Sequence, residues 1–285
     1  MADGSALPHN HASAWGVSEV HDPRLSTATP ALPVLNRILA QMPPEAFEHM
    51  RPHLERVPIR RRAILQEQHR PIGHVHFIER GVASIFARTR QDGPVEVSLV
   101  GRFGLVGVSA ILGAVRSPHR CLMQMDGEAL RVPASTLARV MDENPAVRRQ
   151  LLSYVHVLLV QNAQAVLCNA RHEVVERLSR WLLLARDRLD EDAIPVTHEV
   201  LSMMLGVRRA GITDALASLE RDGAVRRERG SVEISDRAAL ERHACECYGI
   251  IAGEFRRLLE THPGGYTLAG LPGSGHWRLA PRFLN

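Results

Sequence analysis

The chain has 285 residues, 45% of them apolar, and a formal net charge of +4. That length exceeds one average domain, and that apolar share can fill two modest cores, which excludes a wholly disordered protein. No run of about eighteen apolar residues occurs, because even 151–160 is broken by Ser153, Tyr154 and His156, so no membrane span is expected.

Residues 1–33 carry scattered His, Pro and Asp without a basic start or an apolar centre, unlike a secretory signal. A flexible N-terminal segment of a cytoplasmic protein is expected there, and a flexible tail at the Gly- and Pro-rich 263–285. The sequence has no lysine, so its thirty-five basic side chains are all arginines, which stay ionised and grip phosphates or guanine edges in bidentate fashion. The cysteines at 121, 168, 245 and 247 match no zinc or iron–sulfur spacing, and Cys245 and Cys247 lack a second pair. They read as reduced structural thiols, with no metal and no cofactor.

Between 56 and 133 the chain breaks into short β-like runs at 74–78, 82–87, 95–100 and 130–132. Glycine turns separate them at Gly73, Gly81, Asp92 with Gly93, Gly101, Gly104, Gly107, Gly113 and Asp126 with Gly127. This pattern predicts a compact all-β domain over 34–143. His74 and His76 share one strand face and would suit a metal or haem ligand pair, yet no third ligand is evident, and strand histidines are the simpler reading.

Asn144 and Pro145 then open a helix expected over 144–169. Leu151, Tyr154 or Val155, Leu158, Asn162 and Ala165 form one line along it, and Leu152, Leu159 and Val166 form a second. One face can cover the β domain while the other meets a partner, so the helix is read as a dimerisation helix.

Residues 171–188 make an amphipathic helix, with Val174, Val175, Leu178, Trp181, Leu182 and Ala185 inside. Pairs of Glu173 with Arg177 and Glu176 with Arg180 are expected outside. The acidic stretch 190–192 ends it. Thr197 can then cap a helix through Leu205, Gly206 turns the chain, and a further helix runs over about 208–221. Ser202 supplies the small residue a helix-turn-helix crossing needs, and Leu201, Leu205, Val207, Ile212 and Leu216 supply its core. Arg208, Arg209, Gly211, Thr213, Asp214 and Ser218 are left facing outward, and with Thr197 they are the candidate DNA contacts. Arginines at a helix N-terminus suit phosphate, and a guanidinium also spans guanine O6 and N7.

Two strands, 224–227 and 232–235, flank a short turn and read as a wing, placing Arg226, Arg227 and Arg229 near a DNA backbone. The acids slightly outnumber the arginines over 170–262, so only the contact face is basic. A helix is expected over 236–260, with Leu240, Ala244, Cys247 or Tyr248, Ile251, Phe255 and Leu258 on one face, padding this domain or burying sensor surface.

Over about 34–260 the chain resembles the catabolite-activator and fumarate–nitrate-regulator (CRP/FNR) family of bacterial transcription regulators. The resemblance is carried by VTHEVLSMMLGVRRAGITDALASLERDGAVRRERGSVEISD at 196–236 and by the segments VHFIERGVASIF and GRFGLVGVSAILG. CECY near the C-terminus resembles a poorly characterised branch of the family. The implied fold is α+β: an N-terminal cyclic-nucleotide-binding-like β-roll, a long dimerisation helix and a C-terminal winged helix-turn-helix. The family's cyclic-nucleotide binders carry a Gly-Glu pair, whose Glu holds the ribose, and an Arg-Ser pair for the phosphate. Gly107 and Val108 stand in the first place here, Arg116 and Ser117 in the second, so the glutamate is missing. Arg116 and Ser117 are either a weak anion site or a tight turn. The family's N-terminal iron–sulfur cysteines are absent, since 1–120 holds no cysteine.

The expectation is a homodimer that binds double-stranded DNA, with RNA polymerase as a further partner, no membrane, and a small-molecule effector left unassigned. No nucleophile elbow, P-loop or metal-ligand set supports an enzyme. The competing reading is a constitutive DNA-binding or interaction protein whose β-roll serves only as a dimerisation platform.

Overall fold

The computed structural model describes residues 33–91, 94–189 and 191–259. Of the segments expected to be flexible, 1–33 lies outside the described residues except for Pro33, and 263–285 lies wholly outside them, as do Asp92, Gly93 and Asp190.

Two short helices, α1 (Arg37–Ala40) and α2 (Pro44–Met50), lead into strands β1 (Glu55–Ile59), β2 (Ile64–Gln66), β3 (His74–Arg80), β4 (Ala83–Ala87), β5 (Val95–Val100) and β6 (Leu105–Val106). Helix α3 (Val108–Ile111), strands β7 (Arg120–Met123) and β8 (Gly127–Pro133) and helix α4 (Ala134–Glu143) complete the N-terminal half. The strands form two four-stranded antiparallel sheets, β1-β8-β3-β6 and β2-β7-β4-β5. Ile59, Ile78, Ala83, Val100, Cys121, Met123 and Ala129 fill the space between them. The all-β expectation therefore needs amending. Helices α1, α2 and α4 bury Ile38, Leu39, Phe47, Leu137 and Val140 in one cluster with Val75, Phe77 and Leu130 of the β-roll.

Asn144 caps α5 (Pro145–Arg171) by accepting from the Ala146 and Val147 amides at 3.0 and 3.2 Å, and Pro145 occupies the first turn, where a missing N–H costs nothing. Val147, Leu151, Tyr154, Val155 and Leu158 are buried against the β-roll. The Tyr154 hydroxyl receives the Leu105 amide at 3.2 Å. Gly104 allows that approach, because a Cβ there would stand 2.4 Å from the hydroxyl oxygen. On the other side Leu152, Leu159, Val166 and Leu167 stay open to solvent. By length and composition α5 could cross a membrane, which an uninterrupted-run criterion misses, but its core-facing side makes it the central helix of a globular protein.

The chain continues through α6 (Val174–Leu189), β9 (Ala193–Ile194), α7 (His198–Leu205), α8 (Arg209–Arg221), β10 (Val225–Glu228), β11 (Ser231–Ile234), α9 (Arg237–His243) and α10 (Cys247–Leu259). The second core is built from Leu178, Trp181, Leu182, Leu201, Leu205, Ile212, Leu216, Leu219, Val225, Val232 and Ile234.

Two sequence expectations change here. The outer pairs on α6 do not form: Glu176 accepts from the Glu173 amide at 2.8 Å to cap the helix start, Arg177 donates to the Leu205 carbonyl, and Arg180 is buried. The single helix over 236–260 is two helices, because Ala244 turns to an extended conformation, φ −78° and ψ 143°. The second of them, α10, packs on both α5 and α6, with Leu258 and Phe255 against the N-terminal core and Tyr248 against the second core. The C-terminal half also docks on β5: Trp181 Nε1 donates to Glu96 at 2.9 Å and Arg188 Nε donates to the Leu99 carbonyl at 3.0 Å.

Candidate nucleic-acid interface

The helix-turn-helix is fixed by local rules. Thr197 Oγ1 accepts from the Val200 amide at 3.3 Å, capping α7 as expected. Gly206 ends α7 with φ 62° and ψ 37°, a left-handed conformation that glycine adopts without strain, and donates to the Ser202 carbonyl. Helix α8 then buries Ile212, Ala215, Leu216 and Leu219. Its first turn has no side-chain cap, since Arg208 sits at the cap position, so its leading amides point outward with the helix dipole behind them.

Arg208, Arg209 and Asp214 are exposed, and Gly211 and Ser218 are half-buried. Among the described residues Arg208, Arg209 and Arg229 form no ion pair. Thr213 is different from expectation: its hydroxyl donates to the Arg209 carbonyl at 3.1 Å and lies 3.1 Å from His198 Nδ1. That hydroxyl joins α7 to α8. Desolvation, with help from Arg227 and Arg209, lowers the pKa of His198, which favours a neutral imidazole able to donate to Thr213. Gly211, Asp214 and Ala215 also form one wall of a cleft of about 470 Å³, with His172, Glu173, Val174 and Val175 opposite.

The wing is a three-stranded antiparallel sheet, β10-β11-β9, in which β9 had no signal in the sequence because it is only two residues long. Arg226 pairs across the hairpin with Glu233 and reaches Glu228 at 2.9 Å. Arg227 donates its amide at 2.9 Å and its Nε at 2.7 Å to Glu220 of α8. Hydrogen bonding to Arg227 holds the Glu220 carboxyl below the usual carboxylate range. Arg226 thus braces the hairpin internally and Arg227 braces the wing on α8, whereas Arg229 at the exposed tip forms no ion pair among the described residues. Sequence reasoning missed His198, Glu220 and Glu233, which act through pairings that only the folded registers reveal.

The proposed effector residues sit apart from this face. Gly107, φ 109°, precedes α3, and Val108 packs against the sensor-side core. Arg116 is exposed, whereas Ser117 is buried, its hydroxyl accepting from the His119 amide at 3.2 Å and its carbonyl from the His69 amide at 2.7 Å. The first of these bonds closes a tight turn, and the second ties that turn to the loop at His69. His74 and His76 stand with ring centroids 6.2 Å apart, and burial lowers His76 to a pKa of about 4. The cysteines are free and buried, in keeping with reduced structural thiols, but Cys168, Cys245 and Cys247 form one cluster beside His172 that no spacing in the sequence signals, and burial pushes the Cys245 thiol up to about 12.

The winged half matches a known family description. Residues 176–243 match the model of the Crp-like helix-turn-helix domain. No curated protein sequence matches the chain. Solved structures similar to it include FixK2 from Bradyrhizobium japonicum, 15% identical over 67% of this chain and 98% of that one, with a TM-score of 0.60. The c-di-GMP responsive global regulator CLP of Xanthomonas campestris is 16% identical over 67% of this chain and 99% of that one, with a TM-score of 0.56. A CRP/FNR-family transcriptional regulator from Thermus thermophilus is 18% identical over 67% of this chain and 98% of that one, with a TM-score of 0.55. The chain therefore has the fold of these solved structures, and the part that matches the Crp-like helix-turn-helix model contains α8 with its uncapped N-terminus.

Proposed function

We propose that the protein is a dimeric, sequence-specific, DNA-binding transcription regulator of the cytoplasm and not an enzyme. The observation that carries this is the exposed start of α8, where Arg208 and Arg209 stand without ion-pair partners over uncapped helix amides in a Crp-like domain. Phosphate would take the amides and Arg208, guanine would take Arg209, and Arg229 would reach the flanking backbone. The exposed line Leu152, Leu159 and Val166 on α5, spaced by sevens, supports a parallel helix pair as the dimer contact. Two recognition helices would then meet half-sites about one DNA turn apart. RNA polymerase is the further partner such a regulator would engage.

The tight turn at Ser117 and the packed Val108 favour a second reading, in which the β-roll binds no nucleotide and serves as a dimerisation platform. Selection of fragments from genomic DNA, followed by anisotropy titrations on the enriched and a scrambled duplex, tests the main reading. A preference of at least about tenfold for a near-palindromic sequence is expected. Equal affinity for both duplexes would refute sequence-specific regulation. A thermal-shift ligand screen, followed by DNA titrations with and without each hit, separates sensor from platform.

A further inference from the structure

We propose that Cys168, His172, Cys245 and Cys247 form a tetrahedral site for one thiolate-seeking divalent cation, with zinc the first choice. The four residues come from two stretches of chain, 168–172 and 245–247. Cys168 lies in the last turn of α5, His172 is its C-terminal cap, Cys245 lies in the link between α9 and α10, and Cys247 begins α10. One ligand atom from each lies within 4.8 Å of all the others. Cys168 Sγ is 3.5 Å from Cys245 Sγ, and Cys247 Sγ is 3.6 Å from His172 Nδ1.

Zinc bonds of about 2.3 Å to sulfur and 2.0 Å to nitrogen give tetrahedral edges of roughly 3.5 to 3.8 Å, so these two contacts already have the length a single ion needs. A disulfide accounts for less. It would need sulfurs at about 2.05 Å, and it would leave the third cysteine and the imidazole without a role. Ligands this close together also favour one ion over an iron–sulfur cluster, whose cysteines spread around more than one metal.

The surroundings supply the charge. Zinc displaces three thiol protons to solvent, and the resulting centre carries a net charge of −1. Arg180 acts electrostatically on Cys247, and Arg177 on Cys168, so two guanidinium groups stand ready to balance that charge. The buried Nε of each has no hydrogen-bond partner among the described residues. The break at Ala244 is what carries Cys245 and Cys247 to the end of α5, since one continuous helix could not bring both to the same point.

The full-length protein, reduced and stripped with a chelator, is titrated with zinc chloride alone and with cobalt chloride alone. One zinc bound per chain, a cobalt spectrum with sulfur-to-metal charge transfer and tetrahedral d–d bands, and a higher Tm in zinc are expected. Cys168→Ser, Cys245→Ser, Cys247→Ser and His172→Gln should each weaken zinc binding at least about tenfold in competition with a chromogenic chelator. Cys121→Ala, in the β-roll, should leave it unchanged. Fewer than about one zinc per ten wild-type chains, with all four thiols titratable as free, would overturn the proposal. So would iron with acid-labile sulfide in the isolated protein, or equal loss from Cys121→Ala.

Discussion

Truncating Leu159 tests the dimer at the point where the helix is most plainly unfinished. Leu159 is 64% exposed on α5, between Leu152 and Val166 on the same line. Burying a whole leucine side chain stabilises by about 1.5–3 kcal/mol, so the open two thirds represent roughly 1–2 kcal/mol. A two-fold interface presents the residue twice, which makes Leu159→Ala worth about 2–4 kcal/mol per dimer. The dimer Kd should therefore rise roughly thirty- to several-hundredfold. Sedimentation velocity across a concentration series reads this directly. Folding of the single chain should change by less than about 0.5 kcal/mol, because Leu159 touches no core in one copy. A wild-type protein that is monomeric at micromolar concentration, or a dimer Kd unmoved by the substitution, would refute the argument.

Arg209→Ala should cost about 1–3 kcal/mol on the preferred duplex and relax sequence preference, whereas Arg229→Ala should weaken matched and scrambled duplexes alike; anisotropy titrations showing equal losses for both variants on both duplexes would remove base reading from Arg209. Cyclic AMP should not bind at micromolar concentration, since a ribose hydroxyl buried against Val108 loses water without gaining a carboxylate, at a cost of about 1–3 kcal/mol; calorimetry showing micromolar binding coupled to tighter DNA binding would contradict this. His76 has its pKa lowered to about 4 by burial, so the unfolded chain binds more protons between that value and 6.5. Stability should accordingly fall by up to about 3 kcal/mol as pH drops through that window, and His76→Phe should flatten urea midpoints measured from pH 7 to pH 4. Arg188→Met should cost about 3 kcal/mol or more, because it leaves the Leu99 carbonyl and Gln161 without their charged donor; a change within about 0.5 kcal/mol in urea unfolding would show that the contact between the halves carries little.

What the sequence determined by itself is whatever follows from local periodicity and backbone chemistry. The glycine-punctuated strands, the cap at Asn144, the left-handed Gly206 and the hydrophobic spacing of α7 and α8 act over a few residues, so each could be read in order along the chain. The unburied line Leu152, Leu159 and Val166 was legible for the same reason. Tertiary structure decided whatever depends on residues far apart in sequence. Arg226 and Arg227 look like free wing cations until strand register and helix packing set them against Glu233 and Glu220. Trp181 meets Glu96, eighty-five residues away, only once the two halves dock. The four metal-ligand candidates have no recognisable spacing, because seventy-seven residues separate Cys168 from Cys245. Their meeting point exists only where a break at Ala244 turns α10 back onto the end of α5. Spacing rules register ligands held within one loop or helix, and two short chain segments brought together through packing leave no such trace.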